Sequence, residues 1–271
     1  ILFEHKLYAK AVFLFHQSVE KTNKALCIIL NNKDVKELKD KVGHHTSKIY
    51  EDLFKDEEEK QKNFQKLKNT FPKLDLIQTQ EEDEERLESI SKIKKLLIQV
   101  RKKPQKFKSM PIEDMESLLD QIDVIKKEIK EAENEEFKEV SDQEWIEGMD
   151  ELIQQIQEIY GTEHTKDMVE GFEEMKKHKD VMLTITKKMI EFWMKFTLPY
   201  MECFTLAIIT TPHANSRYPS EDGKFIPDKF YNKKHPLIIM LPELLEYQED
   251  CIQEMFKFRK FVEIWNEETK T

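Results

Sequence analysis

Apolar residues that recur at every third or fourth position are the feature of this sequence that most constrains its fold. One such series joins Leu87, Ile90, Ile93, Leu97 and Val100, and a period of 3.6 residues places these positions on one face of a helix. Glycine occurs only 5 times in 271 residues, while residues that favour helix are frequent. Because few windows alternate apolar and polar residues, strands are not expected. The sequence predicts an all-α protein.

Proline, glycine and capping residues divide the periodic segments into helices. We expect these over residues 3–31, 47–71, 87–100, 112–129, 145–159, 165–210 and 236–267. Gly43 is expected to cap the connection before the second helix. Ser141, with Glu144 three residues on, predicts a capping box before the fifth, and Pro199 predicts a kink in the sixth.

The first helix is predicted to bury one stripe and expose another. A spacing of three or four residues marks the buried stripe, which comprises Leu7, Ala11, Leu14, Ser18, Thr22, Ala25 and Ile29. The polar stripe beside it carries His16, Glu20 and Lys24. Gln17 and Lys21 lie next to this polar stripe.

Apolar density is high at both ends of the chain and low in its middle. Residues 57–175 are rich in charge, and their narrow apolar seams are typical of an antiparallel, coiled-coil-like helical hairpin. Residues 1–56 and 176–271 hold most of the large apolar residues. We therefore predict one helical bundle built from residues 1–56 plus 176–271, with residues 57–175 as a charged helical insertion.

Charge, cysteine usage and motifs restrict the possible functions. The net charge of -10 argues against general coating of nucleic acids. Cys27, Cys203 and Cys251 are far apart in sequence and form no Cys-x-x-Cys pair, so we expect buried, reduced thiols rather than a disulfide framework or a metal site. The most apolar stretch, residues 192–211, contains Lys195, Pro199 and Glu202, which argues against a membrane span. With no signal peptide recognised, a cytoplasmic protein without cofactors is expected.

Three segments resemble HEPN (higher eukaryotes and prokaryotes nucleotide-binding) domains. Residues 13–26 combine an aromatic-rich start with Gln17, a Glu20-Lys21 pair and a Lys24-Ala25 pair. Residues 41–49 contain Gly43-His44-His45 at a helix junction, and Arg217-Tyr218-Pro219 follows a long helix. The order of the three segments is that of the family, and the resemblance covers roughly residues 1–55 and 180–265.

The resemblance implies a HEPN-like helical bundle that binds a nucleotide or RNA and forms a homodimer. It also implies a defence or toxin–antitoxin role and a nucleotidyltransferase-type partner protein. The guanidinium of Arg217 suits a phosphate, and Tyr218 suits stacking on a base. Both also fit a structural role, in which Arg217 forms a salt bridge and Tyr218 packs under the loop. The ligand-binding residues expected from the resemblance are Arg217, Tyr218, Lys21, Lys24, His16, Glu20 and His45.

The hypothesis of nucleotide or RNA binding also has an enzymatic form, in which the protein cleaves RNA as a ribonuclease. HEPN ribonucleases carry an Arg followed four to six residues later by a His, for phosphate positioning and proton transfer. This chain has no such pair, because His213 precedes Arg217 by four residues. The catalytic hypothesis therefore requires a rearranged site that uses His213 and Arg217.

Two further interpretations stay open at this point. The basic run from Lys92 to Lys108 suits RNA or an acidic partner, but equally suits a solvated helix face. The whole protein also fits a non-catalytic helical scaffold that binds a partner protein through the inserted hairpin.

Overall fold

The computed structural model describes residues 2, 5–30, 35–70, 79–134, 140–220 and 223–268, which contain helices and no strand. The expected all-α class is therefore confirmed. The helices are α1 (Tyr8–Ile29), α2 (Val35–Glu37), α3 (Ser47–Thr70), α4 (Gln80–Lys102), α5 (Ile112–Asn134), α6 (Asp142–Tyr160), α7 (Lys166–Lys176), α8 (Lys179–Thr210), α9 (Pro227–Phe230) and α10 (Pro236–Glu268). No helix within these residues is long and apolar enough to cross a bilayer.

Contacts divide the chain into two compact units. Unit 1 comprises Ile1–Leu53, Lys94–Glu131 and Met194–Thr271, and unit 2 comprises Phe54–Ile93 and Ala132–Trp193. This division differs from the predicted insertion, since Lys94–Glu131 belongs to the unit that contains both termini. The physical reason is burial, because the apolar seams of α4 and α5 contribute to the core of unit 1 through Leu97, Val100, Met115, Leu119 and Ile122.

The core of unit 1 lies where α1, α8 and α10 meet these segments of α4 and α5. Its fully buried side chains include Val19, Leu206, Ile238, Leu244 and Phe258. Each comes from a helix whose apolar positions recur every three or four residues, so one face of the helix is removed from water. Because these side chains pack in one core, they hold the C-terminal ends of α4 and α8, and with them the loops that follow, in place.

The buried face of α1 is not the predicted one. Leu14 is 44% exposed and Leu7 is also exposed, whereas Val12, Phe15, His16 and Val19 are buried. The larger apolar side chains of this second face determine how the helix is rotated, and they carry His16 and Glu20 into the interior with them. The predicted ends at residues 3 and 31 lie outside the described residues.

Of two further local predictions, the unbroken helix over 165–210 is wrong and the Gly43 cap is confirmed. The predicted helix over 165–210 is interrupted, because Lys177 N–H and His178 N–H bond to carbonyls three residues back and close α7 before α8 begins. Gly43 does cap the preceding segment, as predicted. It follows the π-helical turn Leu38–Val42 with φ +57°, a conformation that favours glycine.

Unit 2 is held together by polar as well as apolar contacts. Lys68 in α3 pairs with Asp83 in α4 at 2.5 Å, and both side chains are buried. Gln61 donates a hydrogen bond to the same carboxylate. The Trp145 indole of α6 donates to the carbonyl of Lys176 in α7, which ties α6 to the end of α7.

Candidate functional site

Unit 1 contains a cavity of about 360 Å³ at the junction of four loops and helix ends. The start of α3, the end of α4 and the residues after α4 and α8 line it. Its wall consists of His45, Arg101, Pro104, Gln105, Lys108, Thr211, Pro212, Ala214, Asn215, Tyr218, Pro219, Ser220 and Phe225. The hydroxyls of Thr46 and Thr211, 3.3 Å apart, tie the start of α3 to the 3-10 turn Thr211–His213 that forms one side.

Lys108 is the most unusual residue of this wall. Its side chain is only 4% exposed, and its ammonium lies 3.5 Å from the centroid of the Phe225 ring. Burial lowers its pKa, and no carboxylate of the described residues forms an ion pair with it. Because a lysine is almost never fully buried without a partner, this ammonium is a candidate anion-binding group.

Arg101 contributes a second cation whose charge is already compensated. Its Nε and one terminal nitrogen each donate to a Glu51 oxygen at 2.7 Å, and these bonds raise the pKa of Arg101. Such a two-point contact holds the guanidinium rigidly. Arg101 therefore shapes the wall, and among the residues that the structure describes Lys108 is the wall cation that has no carboxylate partner.

His45 adds a polar group that is uncharged near neutral pH. Burial, followed by the charge of Arg101, lowers its pKa, and its Nδ1 has no hydrogen-bond partner within the described part of the chain. An unprotonated ring nitrogen accepts a hydrogen bond. His45 was expected to bind a ligand, and the structure places it in the cavity.

Tyr218 and Arg217 lie together at the edge of the cavity. Tyr218 is 61% exposed and lines it. The Arg217 guanidinium is 5.7 Å from the Tyr218 ring and 5.4 Å from that of Phe13 in α1. Arg217 thus stacks on two rings rather than lining the cavity wall, and Tyr218 presents its aromatic surface there.

The remaining predicted residues on α1 form a separate polar cluster. Glu20 accepts a 2.6 Å bond from Lys24, and its other oxygen lies 2.9 Å from His44 Nδ1. Burial alone raises the pKa of Glu20, but these two bonds outweigh it and the pKa is lowered. The charge of Lys24 is thereby compensated, and Lys21 is exposed. Burial also lowers the pKa of His16, which lies beside this cluster, to about 4.

His213 and Arg217 do not form a catalytic arrangement. His213 is buried and shares a 2.7 Å hydrogen bond with the Tyr231 hydroxyl, while Arg217 is exposed. Burial is the largest of the effects that hold the pKa of His213 well below its usual value. A ring that stays neutral inside the protein is poorly suited to exchange protons with a ligand. The ribonuclease hypothesis gains no geometric support from this pair.

Sequence reasoning missed Lys108 as a site residue. The basic run that ends at Lys108 was noticed, but nothing in the run distinguishes one lysine from its neighbours. The signal available was local, since α4 ends at Lys102 and the 3-10 turn Pro104–Lys106, with Phe107 as its C-cap, directly precedes Lys108.

Comparison with protein-family models, curated proteins and solved structures finds no match to this chain. The structure is that of an all-α protein whose unit 1 contains a small cavity lined by both polar and apolar side chains. The resemblance to HEPN domains stays a prediction that rests on the three sequence segments described above.

Proposed function

We propose that unit 1 binds a nucleotide in the cavity, with Lys108 at the phosphate and Tyr218 against the base. The observation that carries the proposal is the buried Lys108 ammonium, which has no carboxylate partner among the described residues. A bound phosphate would supply the missing negative charge. It would also reverse the effect of burial on the pKa of Lys108.

The size and lining of the cavity support a single nucleotide. Ligand pockets usually measure roughly 300–1,000 Å³, and about 360 Å³ lies at the small end of that range. His45, Gln105 and Asn215 provide polar groups for a ribose or base edge, and Tyr218 and Phe225 provide rings. Aromatic stacking on a base is worth roughly 1–3 kcal/mol.

The decisive experiment titrates the full chain with adenosine 5′-monophosphate, adenosine and inorganic phosphate by calorimetry. We expect Lys108→Met to weaken binding of the monophosphate roughly 10- to 100-fold, the usual value of a charged hydrogen bond, without changing binding of adenosine. Methionine preserves the buried apolar stem and removes the charge. Tyr218→Ala should weaken binding of both nucleoside compounds and leave phosphate binding intact.

Lys106→Met is the matched control, because Lys106 is exposed two residues earlier. A similar loss of affinity in this control would show that only overall charge matters. The proposal is also overturned if the unmodified chain binds none of the three compounds, or if folded Lys108→Met binds them all as tightly as the unmodified chain.

A second candidate function is binding of a partner protein through α8. Val181, Ile185, Met189 and Trp193 follow one another at intervals of four residues, which places them on one side of the helix, and all are exposed. Contiguous exposed apolar surface marks interaction sites, and tryptophan is enriched among the residues that dominate interfaces. This stripe supports binding of a partner protein independently of the cavity, but through α8 and not through the inserted hairpin of residues 57–175.

Site-specific photo-crosslinking tests this second candidate. A benzophenone side chain at position 189 is expected to crosslink one defined protein, and the same group at Lys187, on the opposite side of the helix, is not. The candidate also requires Ile185→Glu to abolish the crosslink from position 189. Equal labelling from both positions, or none from position 189, contradicts it.

A further inference from the structure

Two cysteines that are 48 residues apart in sequence lie side by side in unit 1. Sγ of Cys203 in α8 is 3.4 Å from Sγ of Cys251 in α10, and both residues are 0% exposed. The sequence offered no sign of this proximity, because the two residues form no close motif. All three cysteines of the chain are present as thiols.

We propose that Cys203 and Cys251 form an oxidisable dithiol that closes to an intrachain disulfide. An S–S bond measures about 2.05 Å, so the two sulfurs need to approach by roughly 1.4 Å. Side-chain rotation and small shifts of α8 and α10 can supply this approach.

The reaction balances with a disulfide as oxidant. The thiolate of one cysteine attacks oxidised glutathione and releases one reduced glutathione, which leaves a mixed disulfide. The second thiolate then displaces the other glutathione and forms the Cys203–Cys251 bond. In total, two thiols lose two protons and two electrons, and one oxidised glutathione becomes two reduced molecules.

The environment of the pair predicts when this reaction occurs. The hydrogen bond with Cys251, together with burial, holds the pKa of Cys203 well above its usual value. A protonated thiol reacts slowly, because the thiolate is the nucleophile. In addition, neither cysteine is exposed to solvent in the folded protein. The bond is therefore expected to form while the chain folds, or when α10 opens transiently.

The disulfide would join the two ends of the segment that supplies the cavity loop. Eight of the residues that line the cavity lie between Cys203 and Cys251 in the sequence, namely Thr211, Pro212, Ala214, Asn215, Tyr218, Pro219, Ser220 and Phe225. Closing this loop restricts the unfolded chain and stabilises the folded one. The stabilisation does not depend on the cavity binding any ligand.

The test is to refold the full chain in a glutathione redox buffer and to compare it with chain refolded in excess reductant. We expect the oxidised product to be lighter by two hydrogens, with peptide mapping that links Cys203 to Cys251 and leaves Cys27 as a thiol. Thermal unfolding should shift upwards by roughly 5–15 °C, and the shift should reverse on reduction.

Variants at the three cysteines separate this proposal from nonspecific oxidation. Cys27→Ala should still form the bond, whereas Cys251→Ala should form none within the chain and show no reversible thermal shift. Since the main result uses the unmodified chain, a variant that fails to fold does not remove the test. A link to Cys27, a folded chain that stays fully reduced in the oxidising buffer, or an oxidised product with lower thermal stability overturns the proposal.

Discussion

Glu202 shows at the residue scale how burial and charge compete. Its carboxylate is 0% exposed, and Lys126 Nζ lies 3.1 Å away. Burial raises the pKa of Glu202 to about 7, with Lys126 opposing the shift and the charges of Asp250 and Glu254 adding to it. Burial also lowers the pKa of Lys126, but the bonds to Glu202 and Asp250 outweigh it and the net pKa is raised. We infer that the Glu202 carboxyl is incompletely ionised at neutral pH, whereas Lys126, which also contacts Asp250 and the Tyr247 ring, stays charged.

The raised pKa of Glu202 predicts a pH dependence of stability. In the unfolded chain this carboxyl loses its proton near pH 4.5, but in the folded chain near pH 7. Between these values the folded state binds more protons, so the free energy of unfolding falls as pH rises through this window. A shift of this size corresponds to about 3 kcal/mol. The Glu202→Gln variant has no carboxyl at this position to titrate, so its free energy of unfolding should not show this decrease.

Urea unfolding of both proteins at about pH 5 and pH 8 measures the effect. The free energy of unfolding of the unmodified chain, measured relative to that of Glu202→Gln, should be lower at about pH 8 than at about pH 5. Comparison with the variant cancels the contribution of the buried histidines, whose lowered pKa values act in the opposite direction. Glu263→Gln, at an exposed position on α10, is the control, and an unchanged difference between the two pH values contradicts the prediction.

Among the helices, local sequence signals specified the ends better than the buried faces. The capping box before α6 is present as predicted, with the Ser141 hydroxyl accepting from the Glu144 N–H and the Glu144 carboxylate accepting from Ser141 N–H. α3 and α10 begin and end within one residue of the predicted bounds, whereas α4 begins at Gln80 rather than Leu87 and α5 ends at Asn134 rather than Ile129. The face of α1 was predicted wrongly, because two stripes of that helix carry apolar residues and only its neighbours select between them.

Removing the cap of α6 should destabilise unit 2 slightly. Ser141→Ala removes the acceptor for the Glu144 N–H, and loss of such a cap typically costs about 1 kcal/mol. Hydrogen exchange measured by mass spectrometry should show the change first in the peptide that begins α6. Ser117→Ala, an exposed position in the interior of α5, should instead have no effect or a slight stabilising one. Equal effects at the two positions would argue against a role for the cap.

The whole molecule is organised by contacts between segments that are distant in sequence. In unit 2, the Lys68–Asp83 pair joins α3 to α4 across the undescribed residues 71–78. In unit 1, the wall of the cavity draws on residues from 45 to 225. Neither arrangement follows from the charge or hydropathy of any single helix.

Asp83→Ala should destabilise unit 2 strongly, because it leaves the Lys68 ammonium buried without its carboxylate. Breaking a buried pair in this way costs about 3–5 kcal/mol. The double variant Lys68→Met/Asp83→Leu, which removes both charges, should recover most of that loss. Hydrogen exchange along α3 and α4 measures the change.

Arg86→Met is the control for the buried pair, since Arg86 bonds to Glu57 at an exposed position. Exposed pairs contribute at most about 1 kcal/mol. If Asp83→Ala costs no more than Arg86→Met, the buried pair does not hold these helices together.

The amino-acid sequence alone determined the helical class, most helix ends and the cap at Ser141, because these depend on residues only a few positions apart. It also identified His45 and Tyr218, which line the cavity, although their role in binding stays a prediction. Tertiary structure decided which face of α1 is buried, which lysine is buried in the cavity wall, and which two cysteines are neighbours. These properties depend on how distant helices pack, and one-dimensional periodicity carries no information about the partner that each face meets.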